Sequence, residues 1–108
     1  MGIPVVIDRS QLNESEQAKY DKGWKDNSFN QYASDMISVR RSLPDVRDAE
    51  CNLVKWDHRP LPSVSVVIIF HNEALSVLLR TVYSVLDQSD AALLKEIILV
   101  DDFSDFSI

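Results

Sequence analysis

The sequence runs to 108 residues, 45% of them hydrophobic, with 11 basic against 17 acidic side chains and a formal charge of -6. That size and apolar content suit one small core and exclude wholesale disorder, and the scattering of basic among acidic residues excludes a nucleic-acid binder, which needs clustered Lys and Arg. The longest unbroken apolar run, Val66 to Phe70, falls far short of the roughly 20 residues of a membrane-spanning helix.

The first half is polar and poorly patterned. Residues 1–62 hold both glycines and all four prolines. Ser10 to Lys22 reads as an exposed helix with Ser10 as its cap and apolar positions too sparse for a core face. Asn13-Glu14-Ser15 lies within it and forms a glycosylation acceptor triplet, which has meaning only in a secretory compartment. Phe29 to Val39 offers a second helix, with Phe29, Tyr32, Ala33, Met36 and Ile37 at three-and-four spacing. Pro44, Pro60 and Pro62 interrupt the next stretch, so Arg40 to Pro62 is expected to be an extended segment packed over something else. Cys51, the single cysteine, has no internal partner.

The second half is more legible. Ser65 to Phe70 is a β-branched run suited to a strand buried on both faces. From Glu73 to Asp87 the pattern turns helical: Leu75, Leu78, Leu79, Val82 and Leu86 fall on one stripe, with Ser76, Arg80, Ser84 and Asp87 opposite. After a polar link at Gln88 to Asp90, Ile97 to Val100 makes a second buried strand. The order is strand, helix, strand, and such a unit is expected to be right-handed with parallel strands. The chain thus divides into a lead-in, residues 1–62, and an α/β unit, residues 63–108.

In an open parallel sheet, ligands bind beyond the carboxyl ends of the strands. Those ends are Phe70-His71-Asn72-Glu73 and Asp101-Asp102-Phe103-Ser104. The positive end of the helix points at the same edge and favours an anion. Each residue also has a plainer role open to it. His71 suits a turn hydrogen bond as well as a ligand, Asn72 suits a helix cap, and Glu73 complements the helix dipole. Asp101 or Asp102 suits a cap, although two adjacent carboxylates at a strand exit repel each other and so point equally to function. There is no glycine-rich phosphate loop, which excludes a Rossmann dehydrogenase or P-loop reading.

At these residues the chain resembles a known family. Ser65-Val66-Val67-Ile68-Ile69-Phe70-His71-Asn72-Glu73-Ala74, Leu78-Leu79-Arg80-Thr81-Val82 and Glu96-Ile97-Ile98-Leu99-Val100-Asp101-Asp102-Phe103-Ser104-Asp105 are similar to the polypeptide N-acetylgalactosaminyltransferases. So are Asn30-Gln31-Tyr32-Ala33-Ser34-Asp35 and Arg41-Ser42-Leu43-Pro44-Asp45-Val46-Arg47. The likeness covers nearly everything from Asn27 onward. It implies the start of a glycosyltransferase-A-type α/β fold that binds UDP-N-acetylgalactosamine with manganese. It also implies transfer of that sugar to Ser or Thr of acceptor polypeptides in the Golgi lumen. By matching positions, Ile69, Phe70 and His71 would line the nucleotide pocket, Ile69 mainly through its backbone. Asp102 would contact uridine, Asp101 would support the turn, and Cys51 would pair with a later cysteine. The family's Asp-x-His metal motif and its acceptor-side residues do not occur before Ile108. The resemblance therefore carries over no catalytic residue and no metal ligand, and it implies a fragment inactive on its own. A non-catalytic binding or regulatory module built on the same nucleotide-binding half is the alternative.

Overall fold

A computed structural model describes residues 3–55 and 60–105. The chain begins with a short 3-10 turn, Arg9–Gln11, where the Asp8 side chain accepts the Ser10 N–H. Helix α1 (Glu14–Asn27) starts later than the Ser10 expected from the sequence, and Asn13 is its cap. Asn13 Oδ1 accepts the Glu16 N–H at 3.0 Å while the Glu16 carboxylate accepts the Asn13 N–H at 2.9 Å. This reciprocal pair satisfies two orphan donors at once. Ser10 is displaced because its hydroxyl donates to Asp8 at 2.7 Å.

Helix α2 (Gln31–Met36) is shorter than the Phe29–Val39 segment expected; Asn30 caps it, accepting the Ala33 N–H at 3.0 Å. α1 and α2 meet at Gly23, where an added β-carbon would lie 2.9 Å from Gln31 Cβ. Tyr20 stacks edge-on against Tyr32 with ring centroids 6.5 Å apart. Glycine and rings together bring the two helices close, a contact that the sparse apolar pattern of α1 does not suggest.

The expected cover segment is not one. Residues 41–55 are exposed throughout, including a 3-10 helix at Ala49–Leu53 and Cys51, which is unpaired. Among the described residues its side-chain hydrogen bonds are local, as between Asp45 and Arg47 at 2.7 Å. The rest of the Arg40–Pro62 stretch includes residues 56–59, which lie outside the described residues.

Strands β1 (Val64–Phe70) and β2 (Leu94–Asp101) are adjacent and parallel, with helix α3 (Leu75–Gln88) between them in the chain. Cross-strand partners run from Ser65–Glu96 to Phe70–Asp101, with one irregularity between Val64 and Ser65. The expectation of burial on both faces is corrected. Val66, Ile68 and Phe70 are half-buried, whereas Val67 is 54% and Ile69 68% exposed. One crossover helix covers one face of a sheet, so alternate residues divide into covered and open sets. Leu78 of α3 is buried and lies on the stripe that the periodicity assigns to the core.

Arg80 is a second correction. The periodicity sets it on the solvent side of α3, but it reaches α2. Its guanidinium donates to Ser34 Oγ at 3.1 Å, to the Ser34 carbonyl at 3.0 Å and to the Ile37 carbonyl at 3.3 Å. Ser34 Oγ also lies 3.0 Å from Ser76 Oγ. The last carbonyls of a helix have no partners within it, and a cation there also complements the dipole. Farther along, Arg40 pairs with Asp87 and lies over the Tyr83 ring, 5.2 Å from its centroid. The lead-in is thus tied to α3 mainly by polar contacts. With a radius of gyration of 18.2 Å, against about 13 Å for a compact 100-residue domain, the chain does not close around one core.

Candidate functional site

The carboxyl ends of β1 and β2 lie side by side because the strands are parallel and in register to their last residues. The Phe70 carbonyl accepts the Asp102 N–H at 2.8 Å, one step beyond the Phe70–Asp101 pair. His71 Nδ1 donates to the Asp102 carbonyl at 2.7 Å. A carbonyl only accepts, so in the neutral ring Nε2 carries the lone pair. That nitrogen faces Asn72 Nδ2 at 3.3 Å.

Asn72 does not cap α3. Its backbone is left-handed, with φ 46°, a conformation that asparagine tolerates better than most residues. The α3 cap is Ala74, which offers no side-chain acceptor. The Asn72 side chain spans the two strand exits instead. Oδ1 accepts the Asp105 N–H at 2.8 Å and Nδ2 donates to the Asp105 carboxylate at 3.2 Å. The Asn72 N–H donates to Ser104 Oγ at 2.9 Å. Asp101 accepts the Ser104 N–H at 3.0 Å and the Ser104 hydroxyl, which is the turn-supporting role the resemblance implies for it. Phe103, at φ 60°, is also left-handed. Two left-handed residues and six side-chain bonds hold the loops together.

Glu73 precedes the helix and is not in its first turn; its carboxylate accepts the Ala74 N–H at 3.0 Å. The anion nearest the start of α3 is therefore the protein's own, which is the plainer of its two readings. On this side a cleft of about 550 Å³ opens between α1 and the strand exits, bounded by Lys22, Asn27, Asn72, Glu73 and Asp105.

The four residues singled out for nucleotide contact fall on the same edge but in different settings. Ile69 projects from the open sheet face opposite Val100, and Phe70 is half-buried. His71 and Asp102 are exposed and joined through the Asp102 backbone. None of the four borders the α1 cleft. The Asp102 carboxylate accepts no hydrogen bond among the described residues, whereas Asp101 and Asp105 are each engaged. The signal that sequence reasoning missed is Asn72: a polar residue between a strand and a helix reads as a cap by default, and its partner lies 33 positions away.

A manganese ion does not fit these side chains. Among the described residues no group of three or more His, Cys, Asp or Glu is placed to hold a metal. Both His71 nitrogens are occupied, and one unengaged carboxylate is too few ligands for a divalent cation.

Comparison with known proteins bears on the same edge. The family described as "Glycosyl transferase family 2" matches residues 65–107. Polypeptide N-acetylgalactosaminyltransferase 5 of Caenorhabditis elegans is 59% identical over 105 residues, 97% of this chain and 17% of the relative. Polypeptide N-acetylgalactosaminyltransferase 6 of Mus musculus is 58% identical over 101 residues, 92% of this chain and 16% of the relative. The crystal structure of GalNAc-T7 with UDP, GalNAc and Mn2+ superposes with a TM-score of 0.78 at 43% identity, over 95% of this chain and 18% of that one. The chain spans about a sixth of the length of the curated relatives it matches.

Proposed function

The chain belongs to the polypeptide N-acetylgalactosaminyltransferase family, and on that footing we propose that it forms the uridine-side wall of a nucleotide-sugar site. The whole enzyme would move N-acetylgalactosamine from UDP-N-acetylgalactosamine to Ser or Thr of polypeptides in the Golgi lumen; the relatives' names support the sugar and the polypeptide acceptor, and the GalNAc-T7 structure, with UDP, GalNAc and Mn2+, supports the donor. Residues 1–62 serve as the lead-in and 63–108 as the first portion of the catalytic domain. Asp102 accepts from the imide N–H of the base or a ribose hydroxyl. The His71 ring, Phe70 and the Ile69 backbone line the space beside it.

The observation that carries this reading is the contrast among three neighbouring carboxylates. Asp101 and Asp105 hold the loops, and Asp102 faces solvent with its lone pairs unspent among the described residues. A carboxylate fixed by its backbone and left open at a strand exit is suited to reading a polar ligand. The metal chemistry that neutralises a departing diphosphate needs ligands that the described residues do not supply, and on this reading the polypeptide by itself is expected to be inactive. Cys51, exposed, is available for a disulfide with a cysteine elsewhere in such an enzyme.

Grafting tests the reading. Residues 3–105 replace the matching segment of the Caenorhabditis elegans relative, and transfer to a Ser/Thr peptide is measured. The chimera is expected to keep activity, and D102N in it to raise KM for the nucleotide sugar by roughly tenfold or more, the worth of one charge-assisted hydrogen bond. Full activity with D102A would remove Asp102 from the site. Measurable transfer by the ungrafted chain would overturn its assignment as one wall only.

A further inference from the structure

On the reading that the chain enters the secretory lumen, we infer that Asn13 is an N-glycosylation site whose glycan leaves the start of α1 capped. Asn13-Glu14-Ser15 is the one Asn-x-Ser/Thr triplet in the sequence, with no proline at its centre. All three residues are exposed. Asn13 itself is extended, with φ -71° and ψ 169°, so the acceptor stands at the junction of extended chain and helix.

The two ends of the Asn13 amide are used differently. Oδ1 is committed to the cap, accepting the Glu16 N–H at 3.0 Å. Nδ2 donates to nothing among the described residues. An N-glycan attaches at Nδ2. The donor class is an oligosaccharide carried on a lipid diphosphate. The amide nitrogen bonds to the anomeric carbon, the carbon–oxygen bond to the diphosphate breaks, and the lipid diphosphate leaves with that electron pair. The nitrogen gives up one of its two protons. Oδ1 is untouched, so the reciprocal bonds with Glu16 survive the modification. The cleft beside the strand exits begins at Lys22, about nine residues along the helix, or about 14 Å at roughly 1.5 Å per residue. A glycan at Asn13 therefore lies at the far end of α1 from that cleft.

The test supplies the compartment, so that it stands apart from the lumenal reading. The chain is translated behind a cleavable signal peptide in the presence of microsomal membranes. Signal cleavage and protease protection identify the translocated molecules. Those molecules are expected to show one mobility step that an endoglycosidase removes. S15A is expected to abolish the step and S15T to keep it. Ser15 lies in the first turn and its hydroxyl makes no bond to the cap, so S15A removes the acceptor signal and spares the helix start. N13Q is expected to abolish the step as well. Translocated chain with no endoglycosidase-sensitive step, or a step that persists in S15A, overturns the inference.

Discussion

Between Glu14 and Ile37 the chain is polar, yet it takes Gly23, Ala33 and Ser34 out of solvent. Between Val64 and Asp101 it is largely apolar, yet among the described residues Ala74 and Leu78 are the buried ones. The first region buries small residues where helices touch and satisfies its polar groups by long-range bonds such as Arg80 to Ser34. The second has more apolar surface than its single helix covers. Val67, Ile69, Ile98 and Val100 share the open sheet face, which has the composition of a core without the cover of one. Hydropathy thus reports what a surface is suited to meet, and burial reports what it has met.

The largest effects should separate the two faces of the sheet. Leu78→Ala is expected to lower unfolding free energy by about 2–5 kcal/mol, the range for a buried leucine. Val67→Lys or Ile98→Lys on the open face should change it by no more than about 0.5 kcal/mol and should reduce self-association. Urea denaturation and light scattering measure both. Equal losses for L78A and V67K would mean that the open face is covered in solution, and the contrast between the regions would fail.

The polar tie comes next. Arg80→Met keeps much of the side-chain volume but takes a donor from Ser34 Oγ and from the Ile37 carbonyl, and leaves the Ser34 carbonyl with the Ile37 N–H as its donor. A loss of about 1–3 kcal/mol is expected, the worth of hydrogen bonds from a charged donor to part-buried acceptors. At six residues, α2 is too short to persist without tertiary support. Its amides should therefore lose hydrogen-exchange protection before those of α3 do. Gly23→Ala should rank after it, at up to about 2 kcal/mol: overpacking against Gln31 Cβ costs about 1–3 kcal/mol, offset by the roughly 1 kcal/mol that alanine gains over glycine in a helix. Stabilisation by G23A would show that α1 and α2 do not press together there.

Much of the strand–helix–strand unit is legible in the sequence because its signals are local. Apolar runs ended by His71 and by Asp101-Asp102 mark the strands, although β2 begins at Leu94 and takes in Asp101 rather than running from Ile97 to Val100, and leucines at helical spacing mark α3. The parallel pairing follows from the order of the elements. What stays hidden depends on residues far apart in sequence. Asn72 resembles a cap because its partner Asp105 lies beyond α3 and β2. Arg80 resembles a solvent-facing residue because the carbonyls it meets end a helix more than 40 positions earlier. Ser10 makes a plausible α1 cap although Asn13 with Glu16 is the stronger local pair, and there the capping-box spacing was available to decide between them. For the site, the convergence of the two strand exits is readable, while the division of labour among Asp101, Asp102 and Asp105 needs coordinates.

The smallest expected effect probes whether the exposed stretch after α2 has order of its own. Asp45 accepts from the Arg47 backbone N–H at 3.0 Å and from its guanidinium at 2.9 and 2.7 Å. These bonds, the side-chain ones foremost, lower its pKa from 3.8 to about 2. A folded pKa below the unfolded one means that the turn is favoured above pH 3.8, and that the gain is lost as pH falls toward 2. The group is fully exposed, so solvent and salt screen the pair, and the global unfolding midpoint should barely respond. A carboxyl-detected NMR titration should place the Asp45 midpoint near 2, and Arg47→Gln should return it toward 3.8. A midpoint already at 3.8 in the unsubstituted chain would mean that the turn does not form. Residues 45–47 would then owe none of their shape to that ion pair, and within the lead-in the order that rests on side-chain partners would belong to α1, α2 and their contact with α3.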